Sequence, residues 1–201
     1  MIKKLLHRIV AIPFVYDLLQ FAVGASIVRE RLKKRLLNIA SRAWVVDIGG
    51  GTGLNRVLFD DVRYLCLDND PIKLNGFSQK LVDGDALLGD ASQMPIQTSS
   101  VDVVICSFVV HHLPDDVFPK FIQEALRVLK PTGQLVILDP VWAPKRLIGR
   151  LLWKYDRGSY PRPAQILHDT LARYGQEVHW EEFAILHRYI IGIFKKNEVA
   201  S

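Results

Sequence analysis

Cysteine is scarce, at two in 201 residues. That excludes a scaffold stapled by disulfides and a zinc centre built on thiolates, and it fits a reducing, cytoplasmic compartment. Repeats and low-complexity stretches are missing too. With 49% hydrophobic and 23% charged residues, the composition excludes a disordered chain, a collagen or a coiled coil. A charge-free run long enough to cross a bilayer is also lacking. The nearest, Ile9 to Val28, contains Pro13, Tyr16, Asp17, Gln20 and Ser26, and a charge at mid-span is costly in hydrocarbon. No small-residue cleavage site follows Lys3 and Lys4, so a secretory signal is not expected.

Charge is present but uneven. The formal net is +5, yet residues 1–42 hold nine Lys and Arg against Asp17 and Glu30, while the remaining 159 residues hold 17 basic and 19 acidic side chains. The excess of basic charge is confined to the first segment rather than spread over a domain face, so no nucleic-acid partner is expected. In this segment Leu5, Leu6 and Ile9 share one helical face, and Val15, Leu18, Leu19 and Ala22 share another, with breaks near Pro13 and Gly24. The division predicted is a basic amphipathic helical extension over 1–42 and a folded body over 43–201. The extension is expected to cover part of the body's core, and compatibly with that to close as a lid over a ligand site or to anchor on anionic lipid through its basic face.

From residue 43 the pattern alternates between strand and helix. Trp44–Ile48, Arg63–Leu67, Ala86–Leu88, Val101–Phe108 and Gln134–Leu138 read as strands. Leu54–Asp61 fits a short helix. Pro114 opens a second with Val117, Phe121, Ala125, Leu126, Val128 and Leu129 on its apolar face, stopped by Lys130–Pro131–Thr132–Gly133. This order predicts a parallel sheet with helices on both faces. Later the pattern changes to helices over Val141–Trp153 and Pro163–Tyr174, then two strands, Val178–Phe183 and Tyr189–Lys195. Their link is too short for a helical crossover, so a hairpin closes the sheet.

The main chemical signal is Asp47-Ile48-Gly49-Gly50-Gly51-Thr52-Gly53, where the first strand turns. Glycines there allow a sharp bend and close backbone approach to a ligand. The dinucleotide pattern Gly-x-Gly-x-x-Gly fails in both registers, because its last position is Leu54 or Arg56. That argues against a nicotinamide-dependent oxidoreductase.

With the motifs that follow, the chain resembles the class I S-adenosylmethionine-dependent methyltransferases of the small-molecule type. Asp47 to Gly53 is similar to that family's first motif, and Leu67-Asp68-Asn69-Asp70-Pro71 to its acidic second-strand end. Gly89-Asp90-Ala91-Ser92 with Met94-Pro95 is similar to its adenine-side motif. Val101 to Val104, His111-His112-Leu113 and Glu124 to Gln134 follow in the family's order. The resemblance implies a Rossmann-like seven-stranded sheet of order 3-2-1-4-5-7-6, strand 7 antiparallel. It implies S-adenosylmethionine as cofactor, with Gly49, Gly51 and Gly53 turning amides toward its methionine part and Asp47 orienting the ammonium directly or through water. Asp68 would accept from the ribose hydroxyls, Asp90 and Ala91 would meet the adenine edge, Asn69 and Met94 would flank the ring, and Ser107 and Phe108 would line the cleft near the sulfonium.

The same sheet order sets strand 1 between Cys66 and Cys106. Two inter-strand spacings of about 4.8 Å exceed the reach of a disulfide. Adjacent His111 and His112 lack further ligands at metal-binding spacing, so no metal is expected. A sulfonium methyl is already activated, and alignment with an acceptor is the main task. Where the acceptor must lose a proton, the candidates are His111, His112, Asp139 and Tyr160. Trp142, Trp153, Tyr155, Asp156, Arg157 and Tyr160 are expected to build the acceptor pocket. The arginines of Asp156–Arg162 would favour an acidic group. The activity expected is methyl transfer to a small molecule, of amphipathic or lipid-linked character given the extension. The alternative is a silent cofactor-binding partner protein.

Overall fold

The computed structural model describes residues 25–36, 38–80, 83–156 and 160–197, with the backbone alone at 25, 148, 151 and 155. The chain falls into two compact units, Met1–Leu37 and Asn38–Ser201. In the first, helix α1 spans Ala25–Arg35, with Val28 and Leu32 buried one turn apart. Lys33, Lys34 and Arg35 end it, where cations complement the helix dipole. The faces expected from Leu5, Leu6, Ile9, Val15, Leu18, Leu19 and Ala22 lie outside the described residues. No helix among the described residues is long and apolar enough to cross a membrane.

The second unit is a seven-stranded sheet. In chain order its elements are β1 (Ala43–Ile48), β2 (Val62–Asp68), α2 (Pro71–Gln79), β3 (Asp85–Leu88), β4 (Val101–Ser107), α3 (Phe118–Val128), β5 (Leu129–Val141), α4 (Leu147–Tyr155), α5 (Ala164–Tyr174), β6 (Gly175–Ala184) and β7 (Arg188–Lys196). The strand order is 3-2-1-4-5-7-6, as the resemblance implied. β1 to β5 pair in parallel, and β7 runs antiparallel to both β5 and β6. Order reverses between β1 and β4, where a crevice opens beyond the carboxyl ends of the strands.

Strand parity decides what each face buries. Val46, Ile48, Leu67, Val104, Cys106, Leu135 and Ile137 form one face, packed by Phe118, Phe121, Ile122 and Ala125 of α3 and by Leu167 and Leu171 of α5. Each such side chain contributes roughly 1.5–3 kcal/mol by leaving water. On the other face, Phe77 of α2 stacks on Tyr64 of β2 at 6.2 Å. Helices therefore cover both faces, and the central strands are mostly apolar because neither side meets water, with Asp47, Ser107 and Asp139 as buried polar exceptions. Cys66 and Cys106 are both free and buried.

Three elements differ from expectation. Leu54–Asp61 forms only a 3₁₀ turn at Arg56–Leu58. The register pairs Ala43 with Val62 and Ile48 with Leu67, so this link must climb back along the whole of β1. Five strand steps are about 17 Å, whereas eight α-helical residues span only about 12 Å. Lys130–Gly133 does not end a helix in a free turn but bulges within β5, because Val101 pairs with Leu129 and Val103 already with Gln134. A Cβ at Gly133 would sit 3.0 Å from the carbonyl oxygens of Val101 and Asp102, which is why glycine closes the bulge. Finally, Val141 ends β5, and α4 starts only at Leu147.

Arg162 is a further correction. It does not face a ligand. Its guanidinium is 7% exposed and donates to the carbonyls of Val110 (3.0 Å) and Leu113 (2.7 Å) and to the Asp115 carboxylate (2.5 Å), over the Phe118 ring. It fixes the loop after β4, which an ammonium cannot do through one donor group. Arg162→Lys is expected to lower stability by roughly 1–2 kcal/mol in urea unfolding, since at least one buried carbonyl loses its partner.

Candidate cofactor and acceptor site

The glycine turn after β1 begins the crevice. Gly49, Gly51 and Gly53 all adopt positive φ. At Gly51 the left-handed backbone is the whole requirement, since an added Cβ would meet nothing nearer than 3.5 Å, the Lys73 stem. At Gly53 space matters as well, because a Cβ would lie 2.3 Å from the Phe77 ring. The turn is held by Asp68 at the end of β2, 4% exposed. One carboxylate oxygen accepts from the Gly51 N–H and the other from the Asp70 N–H, both at 2.9 Å. Each oxygen keeps a second lone pair for a ligand hydroxyl.

Asp47 lies in β1, next to the glycine turn. It is fully buried beneath the turn, on the same face of the sheet as Tyr64, and accepts from the Tyr64 hydroxyl and from Asn55 Nδ2 at 3.1 and 3.2 Å. It braces the turn and offers no exposed edge to a ligand's ammonium. Burial pushes its carboxyl up from 3.8 to about 7, against the pull of the Tyr64 and Asn55 hydrogen bonds. A folded chain that holds this proton is favoured below pH 4, and the advantage is lost as pH rises through 7. Asp47→Asn is therefore expected to flatten the fall in stability across that window, measured as urea midpoints against pH.

Across the crevice, β4 ends at Ser107, whose buried Oγ has no hydrogen-bond partner. Phe108 follows in the left-handed region, at φ 59°, where a bulky side chain is strained by roughly 1–3 kcal/mol. Its N–H donates to Leu138 at 2.8 Å and its ring meets Tyr189 edge-on. The bend presses Val109 against Gly49, where a Cβ would lie 2.3 Å from Val109 Cγ2. On the far side, Asp90 is exposed and accepts from the Ser92 N–H and hydroxyl at 2.7 and 2.8 Å, which hold its carboxyl below the usual range. Ala91 is half-buried and Asn69 exposed. Met94 is 4% exposed and packs into the core, so it presents little surface to a ring; its N–H donates to Glu124 and its carbonyl accepts from Arg127.

His111 and His112 follow on a 3₁₀ turn (Val110–His112). His111 is 5% exposed; its N–H donates to the fully buried Asp139 at 3.0 Å, and its Nδ1 lies 2.5 Å from the same carboxylate. Nε2 is 3.5 Å from Asp156. Burial opposes a charge on this ring, but Asp139 and then Asp156 prevail and push it up to about 10. His112, exposed at the surface of the turn, is held below its ordinary value by partial desolvation and by the neighbouring His111 charge. Tyr160 is exposed, and its backbone N–H donates to the His111 carbonyl at 3.0 Å. Trp153 is half-buried, edge-on to both His111 and His187. The Tyr155 side chain and Arg157, both expected in the acceptor pocket, lie outside the described residues.

Reading the sequence missed Lys73. Five residues beyond Asp68, in the first turn of α2, it lays its stem along Gly51 and reaches the electrostatic range of His112. The only sequence signal was a lysine soon after the acidic strand end. The arrangement as a whole is a glycine turn, a carboxylate with free lone pairs, an unpaired hydroxyl and a cation around one crevice.

Residues 46–137 match the family model of the methyltransferase domain. A phthiotriol/phenolphthiotriol dimycocerosates methyltransferase of Mycobacterium leprae is 36% identical over 110 residues, 54% of this chain and 38% of that protein. A "probable S-adenosylmethionine-dependent methyltransferase" of Mycolicibacterium smegmatis is 30% identical over 113 residues, 55% of this chain and 43% of that one. The chain thus spans about two-fifths of the length of these curated relatives. Among solved structures, a methyltransferase complex with the Haloferax volcanii Trm112 activator superposes with TM-score 0.74 at 15% identity, over 87% of this chain and 90% of that one, and shows the shared fold.

Proposed function

We propose that this chain is a class I methyltransferase that transfers a methyl group from S-adenosylmethionine to a small-molecule acceptor, a reading supported by the methyltransferase-domain match and by the S-adenosylmethionine-dependent relative. The observation that carries the reading is Asp68, clamped to Gly51 at the strand-order reversal with one lone pair on each oxygen directed to no protein donor. When bound, S-adenosylmethionine supplies a sulfonium methyl that needs no further activation. Asp68 would accept from the ribose hydroxyls, Lys73 would pair with the carboxylate, and the unpaired Ser107 Oγ would hydrogen-bond beside the reacting end. Asp90, Ala91 and Asn69 would meet the adenine. Water is excluded by the Val109 contact on Gly49 and by the aromatic wall of Phe108 and Tyr189. Alignment in such a site supplies about 7–11 kcal/mol of barrier lowering.

The acceptor region is the loop after β4 with Trp142, Trp153 and Tyr160. Support for an amphipathic or lipid-linked acceptor comes from the lipid-methyltransferase relative and from the basic residues of 1–42, which suit peripheral contact with anionic membrane in the cytoplasm. Isothermal titration with S-adenosylmethionine and with NAD tests the cofactor, and transfer from methyl-labelled cofactor to small-molecule and lipid pools tests the reaction. Micromolar binding of S-adenosylmethionine with a labelled product is expected. Binding of NAD alone would end the reading, and tight binding with no product from any pool would favour a silent partner protein.

A further inference from the structure

We propose that His111, His112 and Asp156 form a binding site for one divalent cation of the zinc or cobalt type, with Asp139 supporting it from behind. One ligand atom from each of the three lies within 4.8 Å of the others. His111 Nε2 and Asp156 Oδ1 are 3.5 Å apart, close to the ~3.3 Å that separates two ligands about 2.0 Å from a tetrahedral zinc. The third ligand was invisible in the sequence because Asp156 enters from the end of α4, after β5, whereas both histidines follow β4.

Three further features favour a cation over a mere cluster. Asp139, completely buried, accepts from the His111 backbone N–H and holds Nδ1 of the same residue, so ring and main chain are locked together. That is the carboxylate–histidine support that metal-bound imidazoles use, and here it leaves Nε2 directed to Asp156. Two carboxylates flank one imidazole, a field that draws a divalent cation in exchange for the Nε2 proton, which leaves to solvent. Access exists, because His112 is exposed and Asp156 only half-buried. Two nitrogens and one oxygen suit zinc, cobalt or nickel rather than magnesium or calcium. Three protein ligands leave a coordination position open, the mark of a reactive rather than a structural site. On the methyl-transfer reading that position would bind an acceptor oxygen and ease its deprotonation; the cation site itself does not depend on that reading.

The test uses the full chain, freed of metal by chelation and titrated with Zn²⁺ by calorimetry and with Co²⁺ by visible absorption, with no S-adenosylmethionine present. One equivalent is expected, with the intense ligand-field bands of tetrahedral cobalt. His112→Ala and Asp156→Asn should each weaken binding at least about tenfold, and Asp139→Asn by roughly 10–100-fold, the usual effect of removing such a support. His168→Ala serves as control, since that histidine makes its own surface pairs with Glu177 and Asp169 and should leave the affinity unchanged. Circular dichroism verifies the fold of each variant. No binding, or binding that survives both His112→Ala and Asp156→Asn, overturns the proposal. Either failure leaves the cofactor titration untouched, so the two readings fall separately.

Discussion

Gly53→Ala is expected to destabilise the fold by roughly 2–5 kcal/mol and, on the proposed function, to lose S-adenosylmethionine binding as the turn deforms. Two separable costs add. A non-glycine residue at φ 76° costs about 1–2 kcal/mol of backbone energy. The added methyl would also lie 2.3 Å from Phe77 Cδ2 and 2.6 Å from Cε2. A ring wedged against Tyr64 and α2 has little freedom to retreat, and overpacking of this kind costs about 1–3 kcal/mol. The double variant Gly53→Ala/Phe77→Leu should recover the steric part beyond the cost of Phe77→Leu alone. Gly51→Ala separates the terms further, because its φ is 55° but its surroundings are open to 3.5 Å. It should show the backbone cost alone in urea unfolding. Equal losses at Gly51 and Gly53 would mean that α2 does not pack against the turn.

How much of this was legible beforehand depended on where the information lay. β4 and β5 were readable because burial on both faces leaves continuous apolar runs, and α3 because Phe121, Ala125, Leu126 and Val128 fall on one buried helical stripe; Leu129, expected on the same stripe, instead begins β5. The hairpin was readable from the length of its link alone. The link between β1 and β2 was not, since its conformation follows from the register Ala43 to Val62, a property of two paired strands and of neither sequence by itself. The Lys130–Gly133 turn signal was real, but it became a bulge because Leu129 already pairs with Val101.

The site divides along the same line. Motif order marked Gly51, Asp68 and Asp90 as one crevice, because each ends a parallel strand or begins the loop after it. Side-chain parity was the missing coordinate for Asp47, which the pleat turns beneath the sheet's edge toward Tyr64 and Asn55. Arg162 looked like a ligand residue because a polar loop surrounds it. Only the fold shows the buried carbonyls of Val110 and Leu113 that use up its donors. Asp156 joined the histidines by the same kind of long-range encounter.

Asp68→Ala is expected to weaken S-adenosylmethionine binding by about 2–4 kcal/mol, roughly 30- to 1000-fold. The carboxylate serves two tasks that this substitution removes together. It holds the Gly51 and Asp70 N–H groups, and on the proposed function it accepts from two ribose hydroxyls. Hydrogen bonds to a charged acceptor are each worth about 1.5–3 kcal/mol, so loss of the ligand bonds outweighs loss of the turn anchor. Stability without ligand isolates the anchor: two lost backbone partners should lower it by about 1–3 kcal/mol. Asp68→Asn refines the comparison. Its single carbonyl oxygen retains one backbone partner, while its amide group turns a donor toward a second N–H and toward any ligand hydroxyl lone pair. It should therefore bind better than the alanine variant and worse than the parent. Affinity unchanged in both variants, with ligand-free stability reduced, would make Asp68 a brace for the glycine turn and place the ligand's sugar elsewhere. Affinity lost far beyond the change in stability would make the carboxylate the recognition element that the strand-order reversal positions.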